Sequence, residues 1–539
     1  MENFSLRGPA PPSGERFVTK EKELLIPAPA TDFRETRPSA GAHASATTGK
    51  FVHDVFFSNL PIPFLKFRTY LWLMTFSRAL GVSGFGEWSI LMVTLGLATG
   101  LSSLNLGSAM MRFLCGERTA EEVNRAWTTV LLTVLATSGV VAVGLSLLWR
   151  TIAVSLVPQS VLLAPGLLLG LALCTDLIYE EERSLLRARR RNRLWAGLTL
   201  GRAFPETALT IGVAWATHNV VVVMATYCCC SALAALSGWL YLRRVIQLQL
   251  LWPSWTILRI YGGYGMGLMP GALASLLAIN GDRYLVAHYL DLRRVGIYSI
   301  VVAISGLVGF LVGPINDVLV PELSVLYDRK QWDLFYSRLR GIQKFVWGFS
   351  AGMAALLAVY PAEVIRLFAS RDCTEGWVAL SVMGLQGALM AIVILQIVVL
   401  NVQLRVLWSS GFWSGMAAIT LLCDLVLVPR LGITGAALGQ CIAALSALSV
   451  LLVVNRDTVR RTFSATWLGQ VIASAALVYA TVLVTGRSAP GPVQAFMRLA
   501  GGSAAFVVGL LATGYFRLSD FKALRGLLRT AADSAKGNM

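Results

Sequence analysis

Charge is scarce in this chain. Of 539 residues, 14% are Asp, Glu, Lys or Arg, against 56% hydrophobic. A soluble protein of this length needs far more charge to cover its surface, so a soluble globular domain is excluded. Strict apolar/polar alternation is missing too, which excludes a barrel of strands. The phosphate-cradling pattern Gly-x-x-x-x-Gly-Lys-Ser/Thr is absent, and with it a nucleotide-driven pump of that type. No nucleic-acid-binding motif appears, so nucleic acid is not an expected partner. The eight cysteines include no pair with zinc-ligand or redox spacing, so neither metal nor cofactor is expected. Cys228, Cys229 and Cys230 sit inside an apolar run, where thiols pack as small residues. Cys373 alone falls in an expected outer loop, which leaves no disulfide framework. Residues 1–50 have no apolar signal core. They carry seven Lys/Arg, six Asp/Glu and several prolines, and read as an unfolded cytoplasmic tail.

What the chain has is apolar runs close to span length. A helix needs roughly 20 such residues to cross the hydrocarbon core. There, only helices and closed barrels satisfy their own backbone groups. The expected fold is all-α, a polytopic membrane protein with about fourteen transmembrane helices. The spans are placed at 55–77, 85–107, 127–149, 160–179, 194–216, 220–241, 261–289, 295–319, 342–366, 376–402, 408–428, 432–454, 466–485 and 495–516. The first is the most polar, interrupted by Pro61, Pro63, Lys66 and Arg68.

The basic residues orient this layout. With both termini in the cytoplasm, 33 of the 46 Lys and Arg fall in the cytoplasmic segments and nine at or near the outer side. Positive charge collects in cytoplasmic loops, so the count fits an even number of spans. It also explains the net charge of +17 without an anionic macromolecular partner.

Phe85-Gly86-Glu87-Trp88-Ser89-Ile90 opens the second span, and Val295-Gly296-Ile297-Tyr298-Ser299-Ile300 opens the eighth. The offset is 210 residues and six spans. An even number of spans keeps orientation, so the copies are parallel. Their axis runs along the membrane normal, with a cavity between two bundles. The expected division is a tail over 1–54, six-helix bundles over 55–245 and 255–455, two more helices over 465–516, and a cytoplasmic tail over 517–539.

Several stretches carry a family likeness. Ser77-Arg78-Ala79-Leu80-Gly81 followed by Phe85-Gly86-Glu87-Trp88-Ser89 resembles the opening of the polysaccharide flippase (Wzx-like) family. Asp282-Arg283-Tyr284-Leu285-Val286 with Val295-Gly296-Ile297-Tyr298 resembles its seventh-to-eighth span junction. Val320-Pro321-Glu322-Leu323-Ser324 resembles the end of its eighth span. Asp424-Leu425-Val426-Leu427-Val428-Pro429 and Leu431-Gly432-Ile433-Thr434-Gly435-Ala436-Ala437 resemble a later stretch, with Asp424 where the family has Asn. That family lies in the larger superfamily of multidrug extruders and lipid II flippases. The resemblance implies export of a lipid-linked oligosaccharide of the undecaprenyl-diphosphate type, from inner to outer leaflet of a bacterial inner membrane. Membrane lipids and polysaccharide polymerase or export proteins are the further partners it implies.

Such a headgroup needs cations for its diphosphate and polar groups for its sugar. Lys66 and Arg68 lie mid-span, but two residues apart on a helix is about 200°. Both face one cavity only if Pro61 and Pro63 break the helix; otherwise they snorkel inward. Arg202 and Glu206, one turn apart around Pro205, read as a self-neutralised pair or as a cavity site. A paired Arg202 binds phosphate if Glu206 takes a proton. Arg78 and Arg283 complete the cationic set. Asp282, Asp317 and Asp424 join Glu206 as candidate ion-coupling carboxylates, or serve as span-end charges and structural partners. Asp282 is expected to pair with Arg283 or with Arg293/Arg294. Gln386, Gln396 and Asn401 mark a polar side of the tenth span, for sugar or for interhelical bonds. A drug or cation antiporter of the same superfamily would favour a carboxylate-lined cavity, whereas Lys66, Arg68 and Arg202 suit an anion. A ligase or polymerase typically carries a long outer loop, and the expected outer loops are short, so no enzymatic activity is expected.

Overall fold

The structure is a computed structural model that describes residues 60–115, 118–156, 165–403, 406–485 and 492–516. The expected tails over 1–54 and 517–539 lie outside these residues, as does the side chain of Asp317.

Helix follows helix, and no strand occurs among the described residues. The elements are α1 (Pro61–Ala79), α2 (Gly81–Ser102), α3 (Leu106–Phe113), α4 (Ala120–Leu156), α5 (Pro165–Ala188), α6 (Asn192–Thr217) and α7 (Val220–Val245). Then come α8 (Trp255–Asn280), α9 (Asp282–Tyr289), α10 (Leu292–Ser305), α11 (Val312–Asp328), α12 (Trp332–Val359) and α13 (Pro361–Phe368). Last are α14 (Trp377–Val402), α15 (Val406–Leu431), α16 (Ile433–Val454), α17 (Arg456–Thr462), α18 (Ala465–Thr485) and α19 (Pro492–Ala512).

Ten of these helices are long and apolar enough to cross a membrane. They present apolar side chains outward, with Val140, Leu147 and Leu483 about three-quarters exposed, as a lipid-facing surface requires. The helices that fall short hold the informative chemistry. Helices α1, α5 and α6 place Arg68, Asp176, Arg202 and Glu206 partly or fully inside the bundle and leave Lys66 exposed. The expected eighth span is divided into α10 and α11 by residues 306–311. There, bonds such as Leu307 N–H to Ile304 O and Val308 N–H to Ser305 O tighten the chain. Gly306 and Gly309 lie in this stretch, and Pro314 just beyond lacks an N–H, so the α-helical ladder is interrupted. The expected seventh span divides at Gly281 into α8 and α9.

Local signals explain several boundaries. Thr119 and Glu122 form a reciprocal capping box at the start of α4, at 3.2 and 3.0 Å. Asn219 caps α7 and Asp291 caps α10 through their side-chain oxygens. Helices α1 and α6 run parallel. Phe64 lies against Phe204 with its ring tilted, Arg68 bonds Glu206 and Trp72 bonds Thr210, at a nearly constant sequence offset. Helices α18 and α19 pack on α12 through Tyr360, Trp467, Phe506 and Tyr515, with Phe506 against Gly352.

The repeat-related helices cross each other. A Cβ on Gly86 would collide with the carbonyl oxygen of Leu292, and a Cβ on Gly296 with that of Val82. Adding 210 to 82 and 86 gives 292 and 296, so the two contacts are one contact read in both directions. That reciprocity defines a local two-fold relation between α2 and α10. Ser89 and Ser299, also 210 apart, bring their hydroxyls to 2.7 Å at the same crossing.

Candidate functional site

Two polar centres flank this crossing. The first lies among α1, α5, α6 and α7. Arg202 Nε donates to Glu206 Oε2 at 2.6 Å, and Arg202 Nη2 to Asp176 Oδ1 at 2.6 Å. Arg68 Nη1 reaches the other oxygen of Glu206 at 2.7 Å. Asp176 also accepts from Tyr227 OH at 2.7 Å and from Ser231 Oγ. The Tyr179 ring lies 4.7 Å from the Arg202 guanidinium and the Trp72 ring 4.5 Å from that of Arg68. Glu206 is fully buried, and the side chains of Arg202 and Asp176 are about nine-tenths buried. Two guanidinium groups face two carboxylates, so the centre is neutral as a whole. Such a buried arrangement is costly to form and more costly to break, because any single deletion leaves an unpaired charge.

The second centre lies among α9, α10, α15 and α16. Asp282 has no exposed surface. It accepts from Tyr298 OH, from Gln440 Nε2 at 3.0 Å and from the Arg283 backbone N–H at 2.8 Å. Asp424, which feels the charge of Asp282, is equally buried, and neither of its oxygens has a partner among the described residues. The notch that holds it is the missing side chain of Gly439, where a Cβ would collide with Asp424 Oδ1. The Arg283 guanidinium bonds neutral groups, Ser299 Oγ at 3.2 Å and Asn280 Oδ1 at 2.5 Å. Arg283 therefore meets Ser299 where Ser299 meets Ser89.

The five cations expected to share one cavity are not gathered together. Arg68 and Arg202 are joined through Glu206. Arg283 sits across the α2–α10 crossing from them. Lys66 and Arg78 are exposed, with no ion pair among the described residues. Helix α1 runs unbroken from Pro61, so Lys66 and Arg68 point apart, as two residues on one helix must. The pairing considered for Asp282 takes another form. Arg293 and Arg294 bind Glu375 instead, and Arg283 meets Asp282 through its backbone N–H. Gln396 is buried and accepts from Asn455 Nδ2 at 3.2 Å, an interhelical bond. Cys373 is buried and free. No cluster of His, Cys, Asp or Glu among the described residues has the makings of a metal site.

Reading the sequence missed Asp176, Tyr227 and Gln440, which complete the two centres. Asp176, Tyr179 and Glu182 follow each other at three-residue steps on α5. That polar stripe on an otherwise apolar helix was the available signal.

The bonds at the second centre have unequal weight. Tyr298→Phe or Gln440→Leu removes a donor from a buried carboxylate and is expected to lower stability by about 1.5–3 kcal/mol. Asp424→Asn removes no bond and is expected to cost far less. Thermal unfolding of the purified variants compares them, and equal losses in all three would contradict this reading.

The same architecture is found in solved structures of low identity. The chain is similar to a lipid II flippase, MurJ, in an inward closed conformation, with a TM-score of 0.67 and 14% identity, over 87% of this chain and 98% of that one. It is similar to an inward-facing multidrug resistance MATE family transporter of the MOP superfamily, with a TM-score of 0.59 and 14% identity, over 75% and 94% of the two chains. It is also similar to the MATE multidrug transporter DinF-BH, with a TM-score of 0.55 and 17% identity, over 80% and 100%. At these identities the likeness establishes a shared polytopic helical fold. No curated protein sequence matches. The family model described as "Polysaccharide biosynthesis protein" matches residues 75–376, which contain both copies of the repeat and most of the two polar centres. The chain therefore belongs to this family of polysaccharide biosynthesis proteins.

Proposed function

We propose that the protein is a flippase that carries a lipid-diphosphate-linked oligosaccharide from the inner to the outer leaflet of a bacterial inner membrane, with both termini in the cytoplasm. The observation that carries this reading is the reciprocal contact at Gly86 and Gly296, with a polar centre on either side. A two-fold contact between parallel six-helix bundles is a hinge about which one bundle rocks against the other, opening a central site to alternate sides. The family's place in polysaccharide biosynthesis and the fold shared with a lipid II flippase favour an oligosaccharide on a lipid carrier. The carrier's tail stays in the bilayer while the headgroup crosses.

In this mechanism Arg68 and Arg283 meet the diphosphate from the two sides of the α2–α10 crossing, and Lys66, which points away from Arg68 on α1, meets it before it reaches them. Arg202 reaches it only by exchanging Glu206 or Asp176 for phosphate, an exchange that protonation of Glu206 favours. Arg78, at the far end of α1, meets the departing headgroup. Asp282 and Asp424 form the ion-coupling centre of the second bundle, with Asp317 a further coupling candidate. The membrane potential is worth about 2.3 kcal/mol per charge per 100 mV, so with a negative interior, export of roughly two negative charges gains about 4–5 kcal/mol. That drive needs no nucleotide. Polysaccharide polymerase and export proteins are the partners that would receive the product.

Asp424 favours one other reading, since a buried carboxylate without a partner also suits a cation antiporter. One experiment separates the two. Deletion of the gene is expected to trap lipid-linked oligosaccharide in the inner leaflet. A change in drug sensitivity alone would instead establish the antiporter. Complementation with Lys66→Gln, Arg68→Gln or Arg283→Gln, at equal protein level, is expected to lower export at least severalfold. Full export with all three would remove the cationic part of the mechanism.

A further inference from the structure

Two glutamates on α5 stand outside both polar centres. Glu182 has no exposed surface, and neither of its carboxylate oxygens has a hydrogen-bond partner among the described residues. It occupies a notch on α7 that exists because residue 238 is glycine. A Cβ there would collide with Glu182 Oε2 and lie 3.4 Å from Leu198 Cδ1 of α6, which closes the other side. Glu181, 2% exposed, turns the opposite way toward Gly107 of α3, and its Oε2 also lacks a partner.

Among the described residues no cation forms an ion pair with either carboxylate. The charged groups on the surrounding helices are engaged elsewhere or point away. Arg202 of α6 holds Asp176 and Glu206. Arg125 of α4 holds Glu121, and Arg112 of α3 lies over the Tyr264 ring. On α5 itself Arg183 holds Glu180, a carboxylate that acts unfavourably on Glu181. Glu182 has no ion pair among the described residues, and its burial is its main electrostatic feature. Arg243 and Arg244, at the end of α7, are exposed. Of the titratable groups on α7, Tyr227 donates to Asp176, and Cys230 is a free thiol. An ionised carboxylate sealed from water with neither donor nor cation is among the costliest states in a protein, and binding a proton removes that cost.

We propose that Glu182 is a proton-binding group of the α5–α7 seam, loaded while the seam is packed around Gly238 and unloaded when α7 moves off α5. One proton passes from water to a carboxylate oxygen and back, with no electron transfer. Asp176 lies six residues earlier on the same helix and in the same seam, about 9 Å along the axis. A shift of α5 when Arg202 exchanges Asp176 for phosphate is thereby felt at Glu182. This coupling role rests on the flippase reading; the proton site itself does not.

Infrared difference spectroscopy of the purified full chain in lipid vesicles, across a rise in pH, tests the site without any substrate. Loss of a protonated-carboxyl C=O band is expected in the wild type. In Glu182→Gln that component is absent, and in Gly238→Ala it appears at lower pH, because the new Cβ expels the carboxylate toward water. Glu182→Gln is isosteric and needs no proton, so it is expected to fold, as thermal unfolding checks. An unchanged band in Glu182→Gln overturns the proposal. The pH profile of lipid-linked oligosaccharide translocation tests the coupling separately. It is expected to flatten in Glu182→Gln, and an unaltered profile overturns the coupling role. Failure of the wild type to translocate at all would count against the flippase reading and leave the infrared result standing.

Discussion

Gly86→Val is expected to abolish most transport while leaving the protein inserted and folded. Its side chain would collide with a backbone carbonyl, which cannot rotate away as a flexible side chain would. Overpacking of this kind costs about 1–3 kcal/mol. As a bias between two conformations, that is roughly 5–150-fold against the crossed state. Gly296→Val meets the carbonyl of Val82 in the same way, so the two substitutions should act alike and in the same direction. Unequal effects would contradict a two-fold contact. Reactivity of a cysteine placed at position 89 toward a membrane-impermeant thiol reagent reports the shift. It is expected to rise in both variants, because separation of α2 from α10 uncovers the Ser89–Ser299 contact.

Arg202→Gln is the second substitution with a large expected effect, and its effect is on folding. It strips the cation from Asp176 and half the cation contact from Glu206, both buried. Breaking a buried ion pair from one side typically costs about 3–5 kcal/mol. Removing the carboxylates as well, in Asp176→Asn/Arg202→Gln/Glu206→Gln, takes away the unpaired charges and is expected to recover most of that loss. Arg68 is then left without Glu206, but its side chain is partly exposed, and water screens it. Thermal unfolding measures the stability of each variant, and translocation in vesicles measures function. A triple variant that folds and transports shows that Arg202 acts structurally. One that folds but does not transport shows that the Asp176–Arg202–Glu206 centre takes part in transport itself. A triple variant as unstable as Arg202→Gln would contradict the ion-pair account.

The parts of this molecule that could be read from sequence depend on spacing. The helical class follows from the long apolar runs. The crossing was signalled by the hexads at Phe85 and Val295, because a repeat that keeps orientation must place equivalent residues about a common axis. Gly86, Gly296, Ser89 and Ser299 all lie in those hexads. The Arg202–Glu206 contact was legible for the same reason, as an i,i+4 pair on one helix. What spacing does not give is contact between helices far apart in sequence. Asp176 reaches Arg202 across α5 and α6, and Gln440 reaches Asp282 across 158 residues. Glu181 and Glu182 were hidden by a different cause. A run of three glutamates after Tyr179 reads as the wet end of a span, yet two of the three are buried by glycines on α3 and α7. Burial by an absent side chain leaves no pattern in the segment that is buried. The break between α10 and α11 had its signal in Gly306, Gly309 and Pro314, but an apolar run conceals a kink from a count of hydropathy alone.

Export by rocking about the α2–α10 crossing is tested most directly by locking that crossing. The hydroxyl oxygens of Ser89 and Ser299 are 2.7 Å apart, so cysteines at both positions are placed to form a disulfide. The measurement is translocation of a lipid-diphosphate-linked oligosaccharide across vesicles that hold the purified Ser89→Cys/Ser299→Cys protein, before and after reduction. The account predicts no translocation when the pair is oxidised and recovery when it is reduced, with each single-cysteine variant active in both conditions. Translocation at the same rate in the oxidised and reduced states would contradict it.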